Sequence, residues 1–237
     1  MAQTIIGLDI GAYSVKVATI TASFRSFAWT DYREIAIPHS ERDQPERAAA
    51  QALEELSGKL KAVSAVVVCG LPGYKVMSRF ITLPFDDPKR IDSVLGFELE
   101  GQIPLSVEDM VYSYQVTGKD DDGQTQVFAA AVQSDYMARY MNTLQEAGVD
   151  PRILTLDTTS YLNLYNHLIS EGTVAFLDIG HHSTNLCIVQ DGRLRMARSI
   201  GRGGMAVTQE LATKLSMSFE EAEQHKHEHG AVPFGPT

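Results

Sequence analysis

One tetrapeptide occurs twice in this chain. Leu8-Asp9-Ile10-Gly11 returns as Leu177-Asp178-Ile179-Gly180, and in each copy a serine, Ser14 or Ser183, stands five residues beyond the aspartate. Two copies 169 positions apart in a chain of 237 residues imply two related lobes of roughly 100 residues each. Each copy ends one apolar strand, turns at the glycine and enters a second strand, over 15–21 in one case and 185–190 in the other. The second hairpin continues through Asp191-Gly192, a strong two-residue turn signal, into 193–200; the first continues over 26–37. The hydrophobic period then changes from 2 to 3.6. Ala49, Leu53, Leu56 and Leu60 predict a helix over about 44–60, and Val207, Leu211 and Leu215 predict one over about 205–217. A β-β-β-α order is thus written twice.

A buried-strand run at 63–69 and a turn at 70–73 follow the first helix, and then comes a block with no counterpart. It reads as a strand over 75–83, a helix opened by Asp87-Pro88, strands over 110–117 and 126–133 around the acidic turn 119–123, and a helix carrying Tyr136, Tyr140, Met141 and Leu144. The expected organisation is a first lobe at 1–73, an inserted α+β subdomain at 74–150, a return of the chain at 151–172, an incomplete second lobe at 173–229, and a linker or truncation tail at 230–237. Ser218 with Glu221 forms a capping box for the last helix.

Composition narrows the partners. Hydrophobic residues at 44% and charged residues at 21% describe a chain that can build a packed core. A net charge of −10 leaves no basic surface to follow a phosphate backbone, so nucleic acid is disfavoured. Cys69 and Cys187 each sit in an apolar run and behave as small hydrophobes, which suits a reducing cytoplasm. No apolar run approaches the roughly 20 residues that a membrane span requires.

The repeated turn has a chemistry. A hairpin tip that exposes backbone N–H groups and a hydroxyl makes an anion nest, and glycine admits the phosphate without a Cβ in the way. Two such turns facing each other grip a polyphosphate. Asp9 and Asp178, at the strand ends, would hold Mg²⁺ through water, and Lys16 would neutralise phosphate charge. One Asp-Ile-Gly alone more often just ends a strand; the matched pair carries the signal.

The pair resembles the phosphate 1 and phosphate 2 loops of the actin, Hsp70 and sugar-kinase superfamily. The first loop runs from Asp9 to Lys16. Further along, Gln102-Ile103-Pro104-Leu105, Glu108-Asp109, Tyr114-Gln115-Val116, Ala147-Gly148, Asp157, the glycine-rich turn 200–204 and the segment 218–223 resemble PilM-type pilus assembly proteins, their FtsA-like relatives and the PilM-like cytoplasmic domain of the type II secretion protein GspL. The resemblance implies an α/β, actin-like (ribonuclease H-like) two-lobe fold with an inserted α+β subdomain and a truncated second lobe. It implies ATP and Mg²⁺ as cofactors, with Asp9, Gly11, Ala12, Tyr13, Ser14, Lys16, Asp178, Gly180, Ser183, Thr184, Gly203 and Gly204 around the phosphates and Asp9, Asp157 and Asp178 at the metal. It also implies a cytoplasmic scaffold at the inner membrane, with the cytoplasmic segment of a PilN-type or type II secretion membrane protein as partner, and at most weak ATPase activity. The alternatives are a small-molecule kinase of the same superfamily and a pseudo-nucleotide structural domain.

Two departures stand out. His181-His182 places bulk where relatives have small residues, and the small subdomain and adenosine motif of the family are not found before Thr237. Gly201 to Ala206 also fits the dinucleotide fingerprint G-x-G-x-x-A, but its strand reads as a hairpin partner of 185–190 and no parallel strand follows. His225, His227 and His229 read as exposed helix polarity, since only two of them share a face.

Overall fold

The computed structural model describes residues 2–24, 26–38, 53–54, 65–169 and 171–231. In chain order the first strands are β1 (Gln3–Ile10), β2 (Ser14–Ala22), β3 (Phe27–Ala36), β4 (Ala65–Leu71) and β5 (Val76–Leu83). Helix α1 (Pro88–Glu100), strands β6 (Met110–Lys119) and β7 (Thr125–Gln133), helix α2 (Ser134–Glu146), strand β8 (Ile153–Leu156) and helix α3 (Ser160–Leu168) follow. The chain continues through β9 (Thr173–Ile179), β10 (Thr184–Gln190) and β11 (Arg193–Ile200) to helices α4 (Gly204–Leu215) and α5 (Phe219–His229). The helix expected over 44–60 lies outside the described residues except for Leu53 and Glu54; Leu53 is buried in the first-lobe core.

The described strands form three sheets. The first has the order β3-β2-β1-β4-β8, with β4 parallel to β1 and β8 parallel to β4. The second, β11-β10-β9, is antiparallel throughout. Its β10–β11 turn has Asp191 at φ 49° and Gly192 at φ 75°, the double left-handed conformation that a two-residue hairpin needs. Because β11 pairs antiparallel with β10, the glycine-rich turn after it opens no βαβ unit.

Residues of the insert form a third sheet, β5-β7-β6. Period-2 alternation gives β7 two different faces. Val127, Ala129 and Ala131 pack on Ile91, Leu95 and Leu99 of α1, while Phe128 turns the other way, into a cluster with Tyr165 of α3 and Cys187 and Val189 of the second lobe. Helix α1 starts where Asp87 accepts a hydrogen bond from the Arg90 N–H and Pro88 takes the first turn.

The sequence reading placed the helix carrying Tyr136 and Tyr140 in the insert. Its buried face, Tyr136, Tyr140 and Leu144, packs instead with Ile6, Leu8 and Val67 of the five-stranded sheet. The packing boundary therefore runs near Gln133: the third sheet buries one apolar face under α1, and α2 packs on the first lobe.

A second difference concerns α4. Val207 and Leu215 were expected on a core face, yet both are exposed and the buried residue of this helix is Thr208. Leu8 is 4% exposed while Leu177, its repeat counterpart, is 60% exposed. β4 and β8 extend the first sheet beyond β1, whereas no described strand pairs with the outer edge of β9.

Leu144→Ala should cost about 2–5 kcal/mol, because it opens a cavity under the first sheet. Phe97→Ala, at a residue 79% exposed, should stay within about 0.5 kcal/mol. Urea denaturation of the two variants measures both.

Candidate functional site

The repeat is kept in register as well as in sequence. Asp9 pairs with Lys16 across the first hairpin and Asp178 with Asn185 across the second. The Gly11 N–H donates to the Ser14 carbonyl at 3.1 Å, and the Gly180 N–H to the Ser183 carbonyl at 2.9 Å. Both turns line one cleft of about 410 Å³. Of the residues singled out in the sequence, Asp9, Gly11, Ala12, Tyr13, Ser14 and Lys16 line it from the first lobe. Asp178, Gly180, Ser183 and Gly204 line it from the second, with Asp157 between them.

Thr184 and Gly203 are not brought to the cleft. The Thr184 hydroxyl donates to the Arg202 carbonyl at 2.7 Å. Gly203 lies so close to the second turn that a Cβ there would meet the Gly180 and His181 carbonyl oxygens, the latter at 2.6 Å. The Gly204 and Met205 N–H groups, which would face a phosphate at a free helix start, donate to those same two carbonyls at 2.8 and 2.9 Å. The start of α4 thus buttresses the second turn. Ser14 also differs from expectation: it is 2% exposed, and its hydroxyl donates to Glu34 Oε1 at 2.6 Å.

Asp157 sits where the lobes meet. Its carboxylate accepts from the Gly73 N–H at 3.1 Å, the Thr158 N–H at 2.6 Å and Asn185 Nδ2 at 3.0 Å; Asn185 Nδ2 also reaches Asp178 Oδ2 at 3.4 Å. Burial pushes the Asp157 carboxyl above its ordinary value, against the pull of those hydrogen bonds. Lys16 Nζ lies 3.2 Å from Asp9 Oδ2. Burial alone would lower that ammonium, but the charge and hydrogen bond of Asp9 outweigh it and raise it.

These groups fit a hydrated magnesium ion. Mg²⁺ keeps several waters and takes few protein ligands, and among the described residues no three His, Cys, Asp or Glu side chains are close enough to hold an ion directly. Asn185 Oδ1 is buried and has no hydrogen-bond partner among the described residues, an acceptor suited to a metal-bound water.

Sequence reasoning missed Asn185, although the 169-residue offset from Lys16 points to it. It also missed the wall supplied by α5. Lys226 Nζ reaches Glu223 Oε2 at 2.7 Å, Thr208 Oγ1 at 2.8 Å and the Gly204 carbonyl at 3.3 Å, and Thr208 also bonds Glu223. Burial would raise the Glu223 carboxyl, but hydrogen bonds from Lys226, Thr208 and His227 hold it down at about 2. The i, i+3 spacing of Glu223 and Lys226 was the available signal. The rings of His225 and His229 lie 4.6 Å apart at a tilt of 60°, the first half-buried and the second exposed. His227, expected to be mere surface polarity, instead lines the cleft, its ring centroid 6.2 Å from that of Tyr13.

The model of the type IV pilus assembly protein PilM family matches residues 7–233. The chain belongs to this family. Among solved structures, a chain of a PilM-PilN type IV pilus biogenesis complex superposes at a TM-score of 0.80 with 23% identity, over 96% of this chain and 70% of that one. The cytoplasmic domain of EpsL, an inner-membrane component of the type II secretion system of Vibrio cholerae, gives 0.53 at 14% identity, over 92% and 76%. MreB5 of Spiroplasma citri bound to ADP gives 0.52 at 14%, over 98% and 64%. The fold is therefore actin-like. The cell division protein FtsA of Agrobacterium fabrum is 32% identical over 110 residues, 36% of this chain. The chain covers only a quarter of the length of that relative.

Gly203→Ala should cost about 1–3 kcal/mol and loosen the second turn, since backbone oxygens cannot move aside cheaply. Thermal denaturation, with hydrogen exchange at residues 180–184, measures both effects.

Proposed function

We propose that this chain is a nucleotide-binding scaffold of a type IV pilus assembly platform, in which Mg-ATP in the cleft sets the closure of the lobes and a peptide of a membrane partner docks beside the insert. The observation that carries this reading is the course of β8. Its residues Leu154, Thr155 and Leu156 form one wall of a second, largely apolar groove of about 360 Å³, and the next residue is Asp157 in the cleft. The opposite wall is β6, through Val111 and Tyr112. Among the described strands both β6 and β8 are at the edges of their sheets, so the groove lies between two rows of backbone groups able to pair with an extended segment.

On this reading Asp9, Asp157 and Asp178 hold the hydrated Mg²⁺, the two turns receive the phosphate chain, and the adjoining carboxylate and ammonium of Glu223 and Lys226 suit the hydroxyls of a ribose. When bound, the metal neutralises phosphate charge. The name of the PilM-PilN complex supports a PilN-type cytoplasmic segment as the partner. The inner-membrane location of EpsL supports a cytoplasmic site held to the inner membrane through such a partner. No helix among the described residues is long and apolar enough to cross a membrane.

Asp9→Ala should abolish Mg-ATP binding, read by calorimetry, while circular dichroism stays native; unchanged affinity would remove the nucleotide role of the first turn. A PilN-type cytoplasmic peptide titrated into the chain should bind with different affinity with and without ATP, and Val111→Asp on the groove wall should weaken it at least tenfold. Equal binding with and without ATP would keep the scaffold and remove the switch. Absence of peptide binding in both states would defeat the scaffold itself.

A further inference from the structure

The cleft is poor in positive charge for a site that receives a polyphosphate. Among its described lining residues, the carboxylates of Asp9, Glu34, Asp157, Asp178 and Glu223 stand against only two ammonium groups. Both are already committed: Lys16 to Asp9 at 3.2 Å and Lys226 to Glu223 at 2.7 Å. Like charges gathered in one cleft repel where water is partly excluded. A phosphate chain entering here needs cations beyond these, and one divalent ion offsets only part of the deficit.

Three imidazoles stand where that charge is needed. His181 and His182 occupy the tip of the second turn, the positions that Ala12 and Tyr13 hold in the first. His227 comes from α5. The His181 ring lies 5.1 Å from that of His182 and 5.9 Å from that of Tyr13, while Tyr13 lies 6.2 Å from His227 on its other flank. The three line the cleft together with the turns, and His227 Nε2 is 3.2 Å from Glu223 Oε1. An imidazole gains its proton between about pH 5 and 8. It therefore offers a cation that appears only when the local field favours one.

We propose that His181, His182 and His227 form a proton-linked recognition site for the phosphate chain of a nucleoside polyphosphate, taking up protons as the anion binds. This rests on the nucleotide reading above. The bulk of His181-His182 then has a role: the rings reach the phosphate oxygens as donors in place of a close backbone approach. The charged groups that line the cleft with them are the carboxylates of Asp9, Glu34, Asp157, Asp178 and Glu223 and the ammonium groups of Lys16 and Lys226. An incoming phosphate chain tips the balance toward protonation. By linkage, affinity must then rise as pH falls.

The test is calorimetric titration of Mg-ADP, and of tripolyphosphate as a probe lacking the nucleoside, into the wild-type chain at pH 8 and pH 6. Running it in two buffers of different ionisation enthalpy counts the protons taken up. Wild type should bind both probes on the order of tenfold tighter at pH 6, with net proton uptake. His181→Asn, His182→Asn and His227→Asn should each reduce the uptake, and the triple variant should bind with the same affinity at both pH values. The single variants keep the result readable if the triple variant does not fold. Wild-type affinity that is flat with pH, or a slope that survives in the variants, overturns the proposal while leaving the nucleotide reading in place. Absence of binding at both pH values overturns the two together.

Discussion

The carboxylate of Asp157 is the fastening on which the arrangement of the molecule depends. One of its oxygens accepts from the Gly73 N–H, where the chain leaves the first sheet for the insert, and from Asn185 in the second lobe. Its other oxygen accepts from the Thr158 N–H within the one-turn helix that follows β8. Three parts of the chain, 73, 157 and 185, meet at one side chain. Gly73 has to be glycine for this, since a Cβ there would stand 2.8 Å from Asp157 Oδ1 and 3.0 Å from Ser199 Cβ. A buried carboxylate is costly unless its lone pairs are satisfied. The hydrogen bonds that satisfy it also set how the lobes sit on the insert.

Around that fastening the two halves of the repeat have diverged in ways that suit different tasks. The first turn carries a lysine at the position where the second carries Asn185, so one lobe brings a cation to the cleft and the other an uncharged bridge between Asp157 and Asp178. The first sheet is widened by two parallel strands that bury Leu8, while Leu177 stands exposed at the edge of β9. The second turn leans on the start of α4, which fixes its carbonyls, whereas the first turn is tied through the Ile37 N–H to the Tyr13 carbonyl at 2.8 Å. The same hairpin is thus held rigid by different neighbours.

Much of this was legible in the sequence, because local patterns dictate it. The hairpins, the Asp191-Gly192 turn, the Ser218–Glu221 capping box and the Asp87-Pro88 helix start are decided within a few residues, and each forms as its residues demand. The repeated aspartates and glycines located the cleft. What was not legible depends on distant partners. Periodicity showed that α2 had an apolar face but not which sheet would cover it, and Tyr140 found its place through a 2.8 Å bond to the Gly70 carbonyl. Ser14 reads locally as a phosphate donor, but its hydroxyl donates a hydrogen bond to Glu34, twenty residues away on β3. Gly203 and Gly204 read as phosphate contacts because nothing local reveals that the second turn's own carbonyls accept from the Gly204 and Met205 N–H groups.

The placement of groove and cleft bears on why a nucleotide would matter to a scaffold. A ligand shifts a two-state equilibrium only by the difference in its affinity for the two states, so coupling requires an element whose position both ligands sense. β8 is such an element: it lines the groove on one side and ends at the cleft carboxylate. It is also short, and among the described strands it pairs with β4, from Val68↔Ile153 to Leu71↔Leu156, with its other edge toward the groove. An extended segment pairing there would stiffen the strand whose last residue positions Asp157, and with it Asn185 and the second turn. Closure of the lobes on a polyphosphate would pull on the same residue from the opposite side. On the proposed reading the two binding events would be joined through this one side chain.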